Sequence, residues 1–413
     1  MSKLSEAEQK WALTQHAAGA SSREITDGLA QEFRVKIHPS NVRRLVAKAP
    51  AVAATPAAAE ELDKKARSFI ERYRSLPPVP DQIRATRVED MGFDTPQPAI
   101  ALFSDLHYGS KIDRRATGGL AEYNIDIARE RLARWRNAVL RFGQMDSLLV
   151  DVPALHLFGL GDDLEGHGQM FPTQALQMEE SVLFQQMGFV EDMTNVILSL
   201  LERFPKLYLY KVYGNHGRIA ADAKSSYGPD NLEIMAWEHI ADRVKAKTGG
   251  EWSTSRTGIH SLTGGLVDFH ISRSFFIMAE IEKQLIYARH GHRIGGLNRT
   301  YTGAADNKAR MNSIVSDKRL INFMFKAHLH EAQEMENEIG GQVIQNGCFV
   351  GPSLLSVEGQ RASASLPSQE MYLIHPKYGL THHHRIRLAT PDELRQGEMI
   401  RSRRGAADIV KVA

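Results

Sequence analysis

The chain has 413 residues, 42% of them apolar and 24% charged, with a formal net charge of +2. That is room for one large domain plus appendages, with an ordinary globular balance and enough apolar residues for a core. The near-neutral total excludes a global field drawing in nucleic acid or membrane, so such contacts must come from local patches. A single cysteine, Cys348, excludes an intrachain disulfide and fits a reducing, cytoplasmic setting. The opening MSKLSEAEQK has no signal-peptide core, and no run of about 18 apolar residues is present to span a membrane.

Residues 1–48 read as a small all-α module. SEAEQKWALTQHAAG carries apolar residues at helical spacing behind Ser5, a candidate N-cap. SSREITDGLAQEFRV starts again at Ser21 or Ser22, and HPSNVRRLVAKA opens a short basic helix at Pro39 and Ser40. Three short helices with tight turns, the last one basic, predict a helix-turn-helix-like DNA-binding module. In it Arg43, Arg44 and Lys48 would meet phosphates, and Ser40 and Asn41 would reach base edges. The plainer alternative is a helical oligomerisation or docking module. Residues 49–94 read as a linker: an Ala/Pro spacer, APAVAATPAAAEEL, then a charged helix, ELDKKARSFIERYRSL, broken by PPVPD.

From about residue 95 strands and helices alternate. AIALFSD, ALHLFGLGD and LYLYKVYGNH read as strands. IARERLARWRNAVLRF, SVLFQQMGFVEDMTNVILSLLERF and DNLEIMAWEHIADRVKAK read as the helices between and after them. SFFIMAEIEKQLIYARHG, FMFKAHLH, GQVIQNGCF and EMYLIHP follow with fewer helices, which predicts a second, mainly stranded half whose sheet packs on the first. This α/β domain is expected to run over 95–388, with a polar, basic tail at 389–413.

HLFGLGDD, residues 156–163, poses the chemical question, because an apolar strand finishes on two adjacent carboxylates. A carboxylate at a strand mouth is costly to desolvate unless positive charge sits beside it. The other strands end similarly, on Asp105 and His107, on Asn215 and His216, on His290, and on His328 and His330. In open α/β sheets the ligand crevice lies beyond the C-terminal strand ends. One rim would thus collect oxygen and imidazole donors suited to Mn, Fe, Zn or Ni, and more of them than one ion needs.

The ordered series DLH, GDD, GNHG, RHG and AHLH resembles that of the calcineurin-like metallophosphoesterases, over about residues 97–375. The resemblance implies a four-layer α/β/β/α sandwich of two mixed sheets and two divalent ions, with Mn the first choice. It implies that Asp105, His107 and His330 hold one ion, that Asn215, His290 and His328 hold the other, and that Asp162 bridges them. His216 would face substrate as a catalytic group. Two such ions acidify a bridging water and clamp an in-line displacement at phosphorus, with His216 stabilising charge or protonating the leaving oxygen. Two departures stand out. Ala327 replaces the usual glycine of the last motif, which is a small change. Arg218 follows GNHG where many relatives have an acid that orients the histidine, leaving that work to Asp105 or a backbone carbonyl.

Asp163 and Glu165 read as helix N-cap and first-turn acids rather than as groups that orient ligands. His167 is either a loop residue or a substrate contact, His270 a structural strand histidine, and His382, His383 and His384 surface or strand-edge residues. For substrate, Arg218 and Arg293 are the candidate phosphate contacts, Arg293 opening a basic segment that includes Tyr301, Lys308 and Arg310. The overall arrangement is similar to metallophosphoesterases of bacteriophages and prophages, which would place it in the host cytoplasm. The sequence expectation is a two-metal DNA phosphodiesterase, with DNA as partner, no membrane and a possible homo-oligomer. The alternatives are a phosphodiesterase or phosphatase on small nucleotides, and a DNA-binding or scaffold protein with an accessory phosphoesterase domain.

Overall fold

The computed structural model describes residues 4–17, 19–48, 60, 63–64, 67–68, 95–117, 121–168, 174–220, 226–292, 321–336, 341–352, 366–390 and 393. The chain divides into two compact units, Met1–Ala85 and Thr86–Ala413. Arg293 and the basic segment after it lie outside the described residues, as do most of the linker and of the C-terminal tail.

In the first unit the described residues include the helices α1 (Glu6–Ala17), α2 (Ser22–Glu32) and α3 (Pro39–Lys48). Ser5 and Glu8 exchange hydrogen bonds at the start of α1, and Ser21 and Glu24 form a capping box at α2, satisfying backbone donors that helix starts leave open. Ala12, Ile25, Leu29 and Val42 make the buried core, with Trp11 packed against it. Gly28 lets α1 and α2 close up, because a Cβ there would meet the Trp11 ring at 2.4 Å. Arg43 and Arg44 on α3 are exposed, Asn41 is half-buried, and the Ser40 hydroxyl bonds to His38 Nδ1 at 2.8 Å. Lys48 closes α3; its side chain lies outside the description. The link from α2 to α3 spans residues 33–38, longer than the ordinary helix-turn-helix connection.

The second unit is built on two mixed sheets. Its first strands are β1 (Ala99–Phe103), β2 (Leu155–Gly159) and β3 (Leu207–Lys211), paired in parallel. The connections carry α4 (Ile125–Asp146) and α5 (Val182–Leu200), and α6 (Leu232–Thr248) follows β3. A hairpin series, β4 (Glu251–Thr254), β5 (Ile259–Thr263) and β6 (Val267–Ser272), and the late pair β12 (Ser368–His375) and β13 (Gly379–Arg387) complete eight strands in the order β13-β12-β1-β2-β3-β6-β5-β4. The second sheet holds β7 (Phe276–Ile281), β8 (Gln284–Arg289), β9 (Phe323–Lys326), β10 (Gln333–Glu336) and β11 (Gln342–Gln345), in the order β10-β11-β9-β8-β7. The expected single segment SFFIMAEIEKQLIYARHG is in fact the β7–β8 hairpin.

Strand alternation explains the layering. Ala99, Ala101, Phe103, Leu155, Leu157, Leu207 and Leu209 face the three helices. Their neighbours Ile100, Leu102, Phe158, Leu160 and Val212 face the second sheet, meeting Ile277, Ile286, Ala288, Phe323 and Phe325. Both faces of the central strands are therefore buried, which is why those strands read as unbroken apolar runs. The α/β/β part of the expected layer order is visible directly; residues 293–320, between the parallel strands β8 and β9, fall outside the description. No described helix is long and apolar enough to cross a membrane.

Candidate metal centre

The C-terminal ends of β1, β2 and β3 in one sheet meet those of β8 and β9 in the other. Just past these ends lie all eight residues singled out at the strand termini. Six of them form two groups whose ligand atoms are mutually within 4.8 Å: Asp105, His107 and His330, and Asp162, His290 and His328. In the first, His107 Nε2 lies 3.2 Å from His330 Nε2, and His330 Nε2 lies 3.4 Å from Asp105 Oδ1. In the second, His290 Nε2 is 2.9 Å from Asp162 Oδ2, 3.1 Å from Asn215 Oδ1 and 3.2 Å from His328 Nδ1. The groups adjoin, since the His328 amide donates to Asp105 Oδ2 at 3.3 Å. His216 sits against them, its amide donating to Asp162 Oδ1 at 2.8 Å and its ring edge-on to His107 at 4.4 Å between centroids.

Two close backbone approaches make this convergence possible. A Cβ on Gly214 would meet Asp162 Oδ1 at 2.1 Å, and one on Gly161, whose φ is +101°, would meet the Gly214 nitrogen at 2.5 Å. The glycines of GD and GNH are thus required because the loops after β2 and β3 touch backbone to backbone. The turns are tight elsewhere too: Asp105, His107, Asp162, His328 and His330 all have φ between 48° and 78°. A left-handed conformation at a non-glycine residue costs roughly 1–3 kcal/mol and persists where the surroundings dictate it, typically at functional sites.

The donor set fits divalent cations on three counts. First, the tautomers are fixed from behind. His107 Nδ1 donates to Glu165 Oε2 at 3.0 Å and His290 Nδ1 donates to the Leu160 carbonyl at 2.8 Å, so in each neutral ring Nε2 offers a lone pair to the site. Second, donors crowd together, with His107 Nε2 3.2 Å from His330 Nε2 and His330 Nε2 in turn 3.4 Å from the buried Asp105 Oδ1. Third, the charges are poised. Burial opposes ionisation of Asp162, yet His290 and His216 hold it well below the usual carboxylate range. Burial also opposes charge on His290, but Asp162 and Asp105 outweigh it and raise that imidazole to about 9. Burial and His290 drive His328 down to about 3, and burial and His216 lower His107, leaving both as neutral donors.

Glu165 and Asp163 do not start a helix; none begins within the described residues 160–168. That expectation is corrected, because both are buried and bonded. Glu165 grips His107 with its carboxylate, and its own carbonyl accepts from His216 Nδ1 at 3.1 Å. A backbone carbonyl therefore orients His216, one of the two possibilities the Arg218 departure left open. Gln174 braces Glu165 with a 2.8 Å bond to its carboxylate. Asp163 forms a buried ion pair with Lys211 and accepts from Trp237 Nε1 at 2.6 Å. Lys211 also bonds Glu233 at 3.0 Å, and Glu233 accepts the Gly214 amide at 3.0 Å, so this buried network positions the GNH turn. The signal for it was Lys211 itself, a charge closing an otherwise apolar strand. Burial opposes charge on His330, but Cys348 and Asp105 outweigh it and hold that imidazole well above its usual range; nothing in the sequence pattern marked Cys348.

A cavity of about 370 Å³ opens beside Asn215, lined by Tyr213, Arg218, Phe275, Arg289 and His292 among others. Arg218, the candidate phosphate contact, is among its lining residues; Arg289 and His292 had not been singled out. His270 bonds Ser261 at 3.0 Å inside its sheet, a structural role as read. His167 is a half-buried loop residue with no hydrogen bond among the described residues.

No protein-family model and no curated protein matches the sequence. Among solved structures, Vacuolar Protein Sorting 29 from Cryptosporidium parvum aligns at 10% identity with a TM-score of 0.31, over 71% of this chain and 98% of that one. A dimetal phosphatase from Danio rerio aligns at 8% identity and 0.31, over 71% of this chain and all 100% of that one. A 5'-nucleotidase from Candida albicans aligns at 10% identity and 0.29, over 75% of this chain and 56% of its own. Likenesses this loose carry no weight in assigning chemistry, which rests on the chain's own residues.

Proposed function

We propose that this chain is a metal-dependent phosphodiesterase that hydrolyses DNA. One observation carries the reading: two donor groups that could each hold a divalent ion adjoin at one rim, with His216 fixed beside them. Asp105, His107 and His330 would hold one ion, and Asn215, His290 and His328 the other, with Asp162 between. Bound there, the ions would supply the Lewis acidity that stabilises the attacking and leaving oxygens at phosphorus.

The protein's own groups do the rest. The Glu165 carbonyl can only accept, so it holds the proton of His216 on Nδ1 and leaves Nε2 as the nitrogen that exchanges a proton with the leaving oxygen. Arg218 in the adjoining cavity would hold a second phosphate oxygen. DNA as substrate is supported by the exposed Arg43 and Arg44 on α3. The cavity beside Asn215, sized for a small ligand, favours the second reading, a small-nucleotide phosphodiesterase or phosphatase.

The test is incubation with supercoiled plasmid and Mn²⁺, and separately with a chromogenic phosphodiester. The wild type is compared with Asp162→Ala and His216→Ala. Cutting by wild type, lost in Asp162→Ala and reduced roughly 10²–10⁴-fold in His216→Ala with metal content retained, is the expected result. Intact plasmid beside a hydrolysed chromogenic diester would move the assignment to small nucleotides; no hydrolysis of either would end it.

A further inference from the structure

The three consecutive histidines His382, His383 and His384 lie inside β13, which forms one edge of the eight-stranded sheet. Strand alternation sends His383 to one face and its two neighbours to the other. On the first face His383 meets Glu370 and Glu334, but Arg385 already donates to Glu370 Oε1 at 2.7 Å and Tyr372 to Glu334 Oε1 at 2.6 Å. Those carboxylates have their cation and their donor, and that cluster has no need of an ion.

The other face differs. Asp146, the last residue of α4, is buried, with 3% of its surface exposed. His384 Nε2 lies 3.0 Å from both of its oxygens, and His382 Nδ1 lies 3.3 Å from Oδ1. Among the described residues, only these two imidazoles face that carboxylate. Phe142, one turn back on α4, stacks on the His384 ring at 4.3 Å and 6° and fixes its plane. The His382 and His384 side chains keep 34% and 19% of their surface open, so solvent or a further ligand can complete a coordination shell.

We propose that Asp146, His382 and His384 form a divalent-metal site, separate from the rim, that ties the end of α4 to the edge strand β13. Two imidazoles and one carboxylate suit Zn²⁺, Ni²⁺ or Cu²⁺ better than Mg²⁺ or Ca²⁺. The spacing is compatible: ligand atoms about 2.0–2.1 Å from a tetrahedral ion stand about 3.3 Å from one another. The His384 and His382 nitrogens lie 3.0 and 3.3 Å from Asp146 Oδ1, and the three ligand atoms all lie within 4.8 Å of one another. The competing account is a plain hydrogen-bonded latch, in which each imidazole donates its proton to Asp146.

The full chain carrying Asp162→Ala and His330→Ala, which disables the rim, separates the two accounts. Stripped with chelator and dialysed against micromolar Zn²⁺, it should retain one zinc per chain, and Co²⁺ in its place should give the visible absorption of an imidazole-ligated ion. Adding His382→Ala and His384→Ala should abolish both signals. Saturating Zn²⁺ should raise Tm by roughly 5 °C with the histidines present and not without them. Asp146→Asn is the second variant, since an amide oxygen preserves a latch but is a poor ligand, so it should lose the zinc while staying folded. Zinc content and Co²⁺ spectrum unchanged by the histidine substitutions, or no zinc retained at the outset, would overturn the proposal and leave only the latch.

Discussion

The rim and the β13 edge both set imidazoles against a buried carboxylate, but by different means. At the rim the donors leave the ends of five strands, and five of them sit in left-handed conformations. On β13 the two histidines sit in one strand, beside a register shift in its pairing with β12, and both reach Asp146. The rim is strained, and it is held by the closely apposed loops after β2 and β3 and by buried second partners such as Glu165 and Lys211. Such over-determination keeps donors in place when charge develops. The β13 cluster needs only one strand and one helix end, which suits a clamp and offers nothing comparable to His216 for moving a proton.

The sharpest way to break this comparison is at Gly214. An added Cβ collides with Asp162 Oδ1 at 2.1 Å and its backbone nitrogen at 2.3 Å, and backbone cannot swing away. Gly214→Ala should therefore displace Asp162, empty the rim of metal and lower diester hydrolysis roughly 10³-fold or more, an effect of several kcal/mol on the barrier. The fold should survive, and zinc held by the β13 set should be unchanged. Metal analysis beside kcat/KM reads both; a variant with full rim occupancy would show that the loop contact does not set the geometry.

Legibility in the sequence follows the same divide. The rim could be read because each donor closes an apolar strand, so a short local pattern recurs in order along the chain. The α/β alternation and the stranded second half could be read for the same reason of periodicity. Glu165 escaped, because an acid after GDD looks the same whether it opens a helix or folds back onto His107. The Asp146 pairing escaped more completely: His382 and His384 lie 236 and 238 residues from their partner, on elements that meet only in the packed unit. The α3 basic face was legible, but the six-residue stretch 33–38 ahead of it was not recognised as longer than a tight turn.

Glu165→Gln tests the support behind the rim with a smaller effect. The amide keeps the shape, and the Glu165 carbonyl still orients His216. The charge that steadies the Nδ1 proton of His107 is lost. Metal affinity or activity should fall roughly 10–100-fold, as is usual when a partner behind a metal-bound histidine is removed. An unchanged metal affinity, measured by chelator competition, would reduce Glu165 to a packing role.

The mildest perturbation is pH, and it acts on the rim through His290 and His330. Without an ion, Asp162 keeps a second proton on this imidazole up to about pH 9. A metal must displace that proton from Nε2, so protons and metal compete for the same lone pair. The sign is fixed: affinity is greatest above the raised pKa and falls as pH drops below it, by about tenfold per unit for one displaced proton. His328, already down at about 3, adds no such term in this window. His330, which against the pull of burial is held well above its usual range by Cys348 and Asp105, adds a second displaced proton. Chelator competition between pH 6 and 9 should therefore show the slope, and His290→Ala should lessen it without abolishing it while weakening binding at every pH. A wild-type affinity level across that range would mean that His290 does not give up its proton to an ion.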